Sequence, residues 1–581
     1  MVSASPWCLL GRAAQGPDAL LIDLDAGCAE RTREQIAPGD LARAVAAREA
    51  AAPTRWVWSD TPAWYDALLA AGVRVERCHD LRLVHVILAR SARVADPGPL
   101  QAAESWDRPP DAPAPGPAEQ PGATLFDLET AAAGSSPVPQ DAQSALEELR
   151  RQLEAIAGAD EPTALRLLAA AESAGALVAA EMRAAGMPWD AQEHDRILVE
   201  SLGARPRAGA LPARMEELAQ QVRGALGDPH LALDSPPRLL RALHRAEIPV
   251  DSTSKWELSA HEHPAIAPLL RYKEMSRLLT ANGWAWLDAW VREGRYRPVY
   301  VPGGVVTGRW ASSGGGALQI PRRLRPALRA DPGWLLVSAD VSQLEPRVLA
   351  AMSQDPAMAA AGAGRDLYAG IVESGIVATR QEAKVGMLGA LYGGTSGDSG
   401  VLVRRLRVSF PAAMGLVDDA AAVGERGGTV STWLGRSSPP PDPRWLEAQR
   451  EANLPEASAA AQERARRSAR DRGRFTRNFV VQGTAAEWAL SWIAALRLSL
   501  SRLPDAGADD AAEPSGPVFA RRAHLVHFLH DEVLVHSPAA QAEDAAAAIR
   551  DAAESAGRLL FPGSAVDFPL ELAIAERSEA K

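Results

Sequence analysis

The sequence predicts a mixed α/β protein of several domains. Three observations lead there. First, a chain of 581 residues exceeds what one hydrophobic core organises, since single cores stop growing near ~250–300 residues. Second, short strand-like runs alternate with helical stretches over residues 1–95 and again over 296–581, whereas 144–295 reads as helical. Third, residues 96–143 are rich in Pro, Ala and Gly, including PPDAPAPGPAEQPG, and read as a flexible linker because such a tract buries too little apolar surface to order itself.

The composition narrows the class. Hydrophobic residues make up 47% and charged residues 23%, which suits a soluble globular protein. No run of eighteen apolar residues is present, so no membrane span is expected. No basic start with an apolar core follows the first Met, so a cytoplasmic protein is expected rather than a secreted one. Cys8, Cys28 and Cys78 are too few and too scattered for a disulfide framework or a metal site. The net charge of −11 disfavours a uniformly nucleic-acid-binding surface, yet the charge is uneven. Residues 295–330 hold seven arginines and no acid, and 400–480 hold fourteen arginines against nine acids. Lysine occurs only at 255, 273, 384 and 581, so Lys384 is not background.

The elements follow in order. ALLIDLD is a strand ending at Asp25; WVW at 56–58 leads into a helix from Asp60, and VRVER reads as another strand. LRLLAAAESAGALVAAEMRAAG repeats apolar residues at helical spacing, and a further helix runs from Pro264 to Trp290. LLVSADVSQLEPRVLAAMSQD gives a strand ending in Asp340, then a helix near Glu345-Pro346, where proline is tolerated in the first turn. TRQEAKVGMLGALYGG gives a helix with Thr379 and Glu382 at capping-box spacing and Gly393-Gly394 as its stop. Arg380, Lys384, Leu388 and Leu391 fall within about 80° of one face of it. GRFTRNFVVQGTAAEWAL places Arg474, Asn478 and Gln482 at four-residue steps on one helix face. HLVHFLHDEVLVHS reads as a hairpin whose turn carries His530, Asp531 and Glu532.

Each piece alone also fits an ordinary strand end, acidic turn or solvated helix face. Taken together they suit phosphate chemistry. Two aspartates on strand ends could bind a pair of Mg²⁺ ions, which take hard oxygen ligands. An Arg–Lys stripe one turn apart suits a triphosphate. The Gly-rich, basic GVVTGRWASSGGGALQIPRR suits a phosphate backbone.

In this order the segments resemble the family A DNA polymerases, the group of bacterial DNA polymerase I. Asp340-Val-Ser-Gln-Leu-Glu-Pro-Arg347 is similar to motif A, Arg380-x-x-x-Lys384 with Tyr392-Gly393 to motif B, and His530-Asp531-Glu532 to motif C. TGRWASS with LQIP, GGTVSTWLGR, VVQGTAAE and EMRAAGMPWD also match family segments, so the likeness covers about residues 144–581. It implies a right-hand domain, with the thumb and the domain's start over 144–295 and palm and fingers over 296–581. It implies a DNA-directed DNA polymerase that extends a primer 3′-OH with dNTPs, in repair or gap filling, as a monomer on primer–template DNA. Two Mg²⁺ ions, replaceable by Mn²⁺, would sit on Asp340, Asp531 and the Val341 carbonyl. Glu345 would exclude a ribose 2′-OH. Arg380 and Lys384 would hold the triphosphate, with Lys384 aiding catalysis, and Gln343, Tyr368, Leu388 and Tyr392 would complete the nucleotide site. Arg309, Gln319, Arg474, Asn478, Gln482 and His530 would touch DNA.

The departures also matter. Leu388 stands where the family usually has a base-stacking aromatic, so weaker nucleotide binding is expected, and Tyr368 stands where a histidine is common. Val341 replaces a Tyr and Pro346 a Leu. These departures leave room for a weakened primer–template-binding accessory. The resemblance implies that residues 1–95 are a shrunken 3′–5′ exonuclease-like (RNase H-like) domain. Asp23-Leu24-Asp25 is its nearest acidic pair and no Tyr-x-x-x-Asp follows, so proofreading is not expected, though residual exonuclease is the alternative. No 5′ nuclease is expected. Leu125-Phe126 is similar to motifs that dock on a sliding clamp, but the usual leading glutamine is displaced to Gln120, and packing on a neighbouring domain is the favoured reading of the pair.

Overall fold

A computed structural model describes residues 7–578 except 53, 108–137, 208, 317–319 and 395–396. Gln319 and the Leu125-Phe126 pair therefore lie outside the described residues. At the N-terminus, strands Trp7–Arg12, Ala19–Leu24 and Glu30–Ile36 form an antiparallel meander. Arg55–Trp58 and Arg77–Asp80 add to it in parallel. The two-residue period of a strand sorts the side chains. Cys8, Leu10, Trp56 and Trp58 share one apolar cluster with Tyr65, Leu68 and Leu177. Leu9, Ile22 and Val57 share another with Ala145, Leu146 and Leu149.

Three sequence expectations shift here. The strand expected at VRVER lies further on, at Arg77–Asp80. Val73 and Val75 are buried, but the Val75 N–H donates to the Tyr65 hydroxyl (3.4 Å). The expected linker is packed at both ends: Leu100, Trp106 and Val138 are buried, and Gly98–Gln101 is helical. Helix Ala142–Ala157 covers the N-terminal sheet rather than joining the thumb, because its Ala142, Ala145, Leu146, Leu149 and Ile156 face is apolar at helical spacing.

Within the stretch expected to be the thumb, a separate helical cluster gathers around Ile197, Leu198, Met215, Leu243, Leu269 and Tyr272. The helix read over 264–290 divides at Gly283 into Ile266–Asn282 and Trp284–Trp290. The palm is an antiparallel sheet ordered His524–Leu529, Glu532–Pro538, Trp334–Val341, Leu570–Ala575. Val337, Ala339, Val533 and Val535 share its core with Ile549 of helix Ala542–Leu560 and with Trp488 and Trp492 of the long helix Ala459–Leu500. Helices Pro162–Ala185 and Ala459–Leu500 match a bilayer in length and apolarity, but their apolar windows are 67% and 83% buried within the fold.

Candidate active site

Strand pairing brings the two aspartates together. Asp340 lies opposite Glu532 across the central ladder, and the Val341 N–H donates to the Asp531 carbonyl (2.9 Å). Asp531 occupies the tip of the expected hairpin beside His530, whose φ of +55° is strained for a residue with a side chain. Burial, then the charge of Asp340, pushes the Asp531 carboxyl up to about 6, while Arg309 pulls the other way. Two carboxylates that resist joint ionisation are what a divalent cation with hard oxygen ligands relieves. This donor set fits the metal pair expected from the sequence. Glu532 instead pairs with Arg325 (3.1 Å).

The finger helix is Arg380–Tyr392. Its capping box is formed: the Glu382 N–H donates to the Thr379 hydroxyl (3.1 Å) and the Thr379 N–H to the Glu382 carboxylate (3.1 Å). Gly393 ends it with φ +76°, and a β-carbon there would meet the Arg474 side chain at 2.5 Å. Arg380, Lys384, Leu388 and Tyr392 are exposed. Leu391 is fully buried. It falls between Arg380 and Lys384 in angle, but it lies in the last turn of the helix, where the same face meets the core rather than solvent.

Arg380 donates to Asp366 (2.7 Å), and its guanidinium lies 5.5 Å from the Tyr368 ring centre. Tyr368 is itself buried. The Gln343 amide is engaged by the same region, donating to Asp366 (3.0 Å) and accepting from the Leu367 N–H (3.2 Å).

Glu345 lies in the first turn of helix Leu344–Ser353, which follows Asp340. It accepts from Arg309 and, at 3.0 Å, from the Tyr392 hydroxyl. A cleft beside it is lined by Gly308, Arg309, Glu345, Phe528, His530 and Asp531. Burial, then Arg309, lowers His530 to about 4, so the ring is neutral near pH 7. On the long helix Arg474 is exposed while Asn478 and Gln482 are half-buried, and Gln482 accepts from Thr307 (3.1 Å).

Sequence reading missed several supports. Arg347 is fully buried and donates to the carbonyls of Ser342, Gly362, Arg365 and Asp567 and to the Asp567 carboxylate. Arg477, buried one turn from Arg474, caps the finger helix at the Ala390 carbonyl (2.9 Å). The Asp23-Leu24-Asp25 acids are occupied. Asp23 pairs with Arg48 (2.7 Å), and Asp25 closes its own turn by accepting from Gly27 and Ala29 (both 2.9 Å). Among the described residues, no group of three or more His, Cys, Asp or Glu is arranged to hold a metal ion.

The sequence model of DNA polymerase family A matches residues 207–577. The chain belongs to that family. It is 29% identical over 343 residues to the thermostable DNA polymerase I of Thermus filiformis, covering 54% of this chain and 36% of that protein. DNA polymerase I of Chloroflexus aurantiacus is 29% identical, covering 51% of this chain and 31% of that one. The Thermus aquaticus enzyme is 27% identical, covering 71% and 46%. This family A chain thus spans a third to a half of the length of these relatives. A solved structure titled as the POL domain of Pol1 from M. smegmatis, in complex with DNA primer-template and dNTP, superposes with a TM-score of 0.66. It covers 97% of this chain and 93% of its own, at 18% identity. The shared fold is the mixed α/β architecture of palm, fingers and thumb.

Proposed function

We propose that the protein is a DNA-directed DNA polymerase that extends a primer 3′-OH with dNTPs. The adjacency of Asp340 and Asp531 beside the finger helix carries this reading. Asp340 and Asp531, with the Val341 carbonyl, would hold two Mg²⁺ ions, which supply charge neutralisation for in-line phosphoryl transfer. Arg380 and Lys384 would bind the triphosphate, Arg bidentately and Lys as a point charge. Lys384 would sit by the leaving pyrophosphate. Glu345, fixed by Arg309 and Tyr392, would stand where a ribose 2′-OH would come. Neutral His530, with Arg309, Gln482, Asn478 and Arg474, would follow the primer–template minor groove.

Primer extension with dNTPs and Mg²⁺ tests this. Extension by the intact protein and none by D340A is expected; extension by D340A overturns it. Repair or gap filling is the role that this activity suits. A second reading, a primer–template binder that catalyses weakly, is favoured by the aliphatic Leu388 on the exposed finger face. Tight primer–template binding with negligible extension would select it.

The N-terminal domain reads as exonuclease-like without proofreading, supported by its mixed sheet and by the pairing of Asp23 with Arg48. Metal-dependent removal of a mismatched 3′ nucleotide would contradict that.

A further inference from the structure

We propose that Asp366 is a positioning residue that holds Arg380 at rest beside the nucleotide site and yields it to an incoming triphosphate. The proposal rests on the reading of Arg380 as a triphosphate ligand. Asp366 is the N-cap of helix Leu367–Glu373, and its Oδ1 accepts from the Ala369 N–H (2.8 Å). That bond anchors the carboxylate to a helix end, where a negative charge is favoured. Its Oδ2 takes three donors: Arg380 through Nη2 (2.7 Å) and Nε (3.3 Å), and the Gln343 amide (3.0 Å). Gln343 is three residues beyond Asp340, and its own oxygen is fixed by the Leu367 N–H. Asp366 thus joins the turn that follows the strand of Asp340 to the first turn of the finger helix.

The hold is weak enough to break. The Arg380 side chain is 58% exposed, so water competes for it. Asp366 offers the guanidinium one oxygen, whereas a triphosphate offers paired oxygens and more charge. Tyr368, beneath the guanidinium, keeps it near the site in either state. A ligand must therefore repay the loss of the Asp366 pair before it gains Arg380. That raises the dNTP concentration the site requires and selects against anions of lower charge.

Steady-state primer extension by the full chain tests this through D366N. Asn preserves the helix cap while removing the charge. The KM for dNTP is expected to fall by about two- to fivefold, the scale of an exposed ion pair, with kcat moving less than KM. R380A should raise KM, and adding D366N to R380A should change KM no further. A D366N protein with unchanged melting temperature whose KM is unchanged or higher overturns the proposal. So does an equal fall in KM in the R380A background. If D366N does not fold, D366S retains a capping side chain and gives the same comparison. An intact protein that leaves the primer unextended, or R380A with unchanged KM, overturns the nucleotide-site reading itself.

Discussion

At the residue scale, the site is organised around one electrostatic conflict. Asp531 is pushed up to about 6 by burial and then by Asp340. A carboxyl raised above its unfolded value contributes stability that is full below the unfolded value and is lost as pH rises through the raised, folded-state value, here about 6. Near neutral pH without metal, the pair therefore weakens the fold. D531N should lose primer extension and yet melt at a higher temperature than the unsubstituted protein in EDTA at pH 7.5. A scan with and without Mg²⁺ checks this, because added Mg²⁺ should raise the melting temperature of the unsubstituted protein only. A lower melting temperature for D531N in EDTA would show that the two acids are not in conflict. This conflict was partly legible in the sequence. Each aspartate ends or follows an apolar strand, a local pattern. Asp366 was not legible as the partner of Arg380, since fourteen residues and a turn separate them and nothing local marks the pairing.

At the element scale, the finger helix shows what a periodic pattern does and does not carry. Its start and stop were readable because capping is local: Thr379, Glu382 and Gly393 act within a few residues. The burial of Leu391 was not readable from the arc, since it depends on Leu402 and Leu406 of the next helix, which share its cluster. The strand misplaced at VRVER has the same cause. Its apolar residues are buried as read, but the ladder partner, Arg55–Trp58, meets Arg77–Asp80 instead. Leu388 is 38% exposed on the finger face, one turn before Tyr392. A ring at that position would offer an incoming base a stacking surface, worth about 1–3 kcal/mol per base in single-strand complexes. L388F should therefore lower the KM for dNTP by about fivefold or more. The exposed position leaves space for the ring, so the melting temperature should change little. Unchanged KM would mean that this face does not meet the base.

At the scale of the whole molecule, buried charges join the N-terminal domain to the palm. Glu181 accepts from Tyr65 (2.6 Å), Arg74 (3.0 Å) and Arg497 (2.6 Å), and Arg497 donates onward to the Glu76 carbonyl (2.7 Å). E181Q leaves two guanidinium groups short of their counter-charge, a loss of about 3–5 kcal/mol when one member of a buried pair is removed. Because the network bridges both domains, Trp fluorescence and far-UV circular dichroism should report one common, lowered transition. Separate transitions would show that the domains fold independently. The same burial sets opposing pH responses. His79, His524 and His527 are each lowered to about 4, mainly by burial, so they cost stability as pH falls from 6.5 towards 4. Glu487 is raised to about 7, again mainly by burial, and acts in the opposite direction. The two sets offset each other in a bulk acid titration, so the informative measurement is a difference. Glu487 lies under the 432–436 turn, accepting from Thr432 and from the Leu434 N–H (2.9 Å). Its contribution is full below about 4.5 and is lost as pH rises through 7. E487Q cannot ionise; its single carboxamide oxygen can accept from the Leu434 N–H while its NH2 turns to the Thr432 hydroxyl as a donor. Its melting temperature relative to the unsubstituted protein should therefore climb between pH 5 and pH 8. A difference that stays flat across that range would mean that Glu487 is already ionised in the folded protein at pH 5.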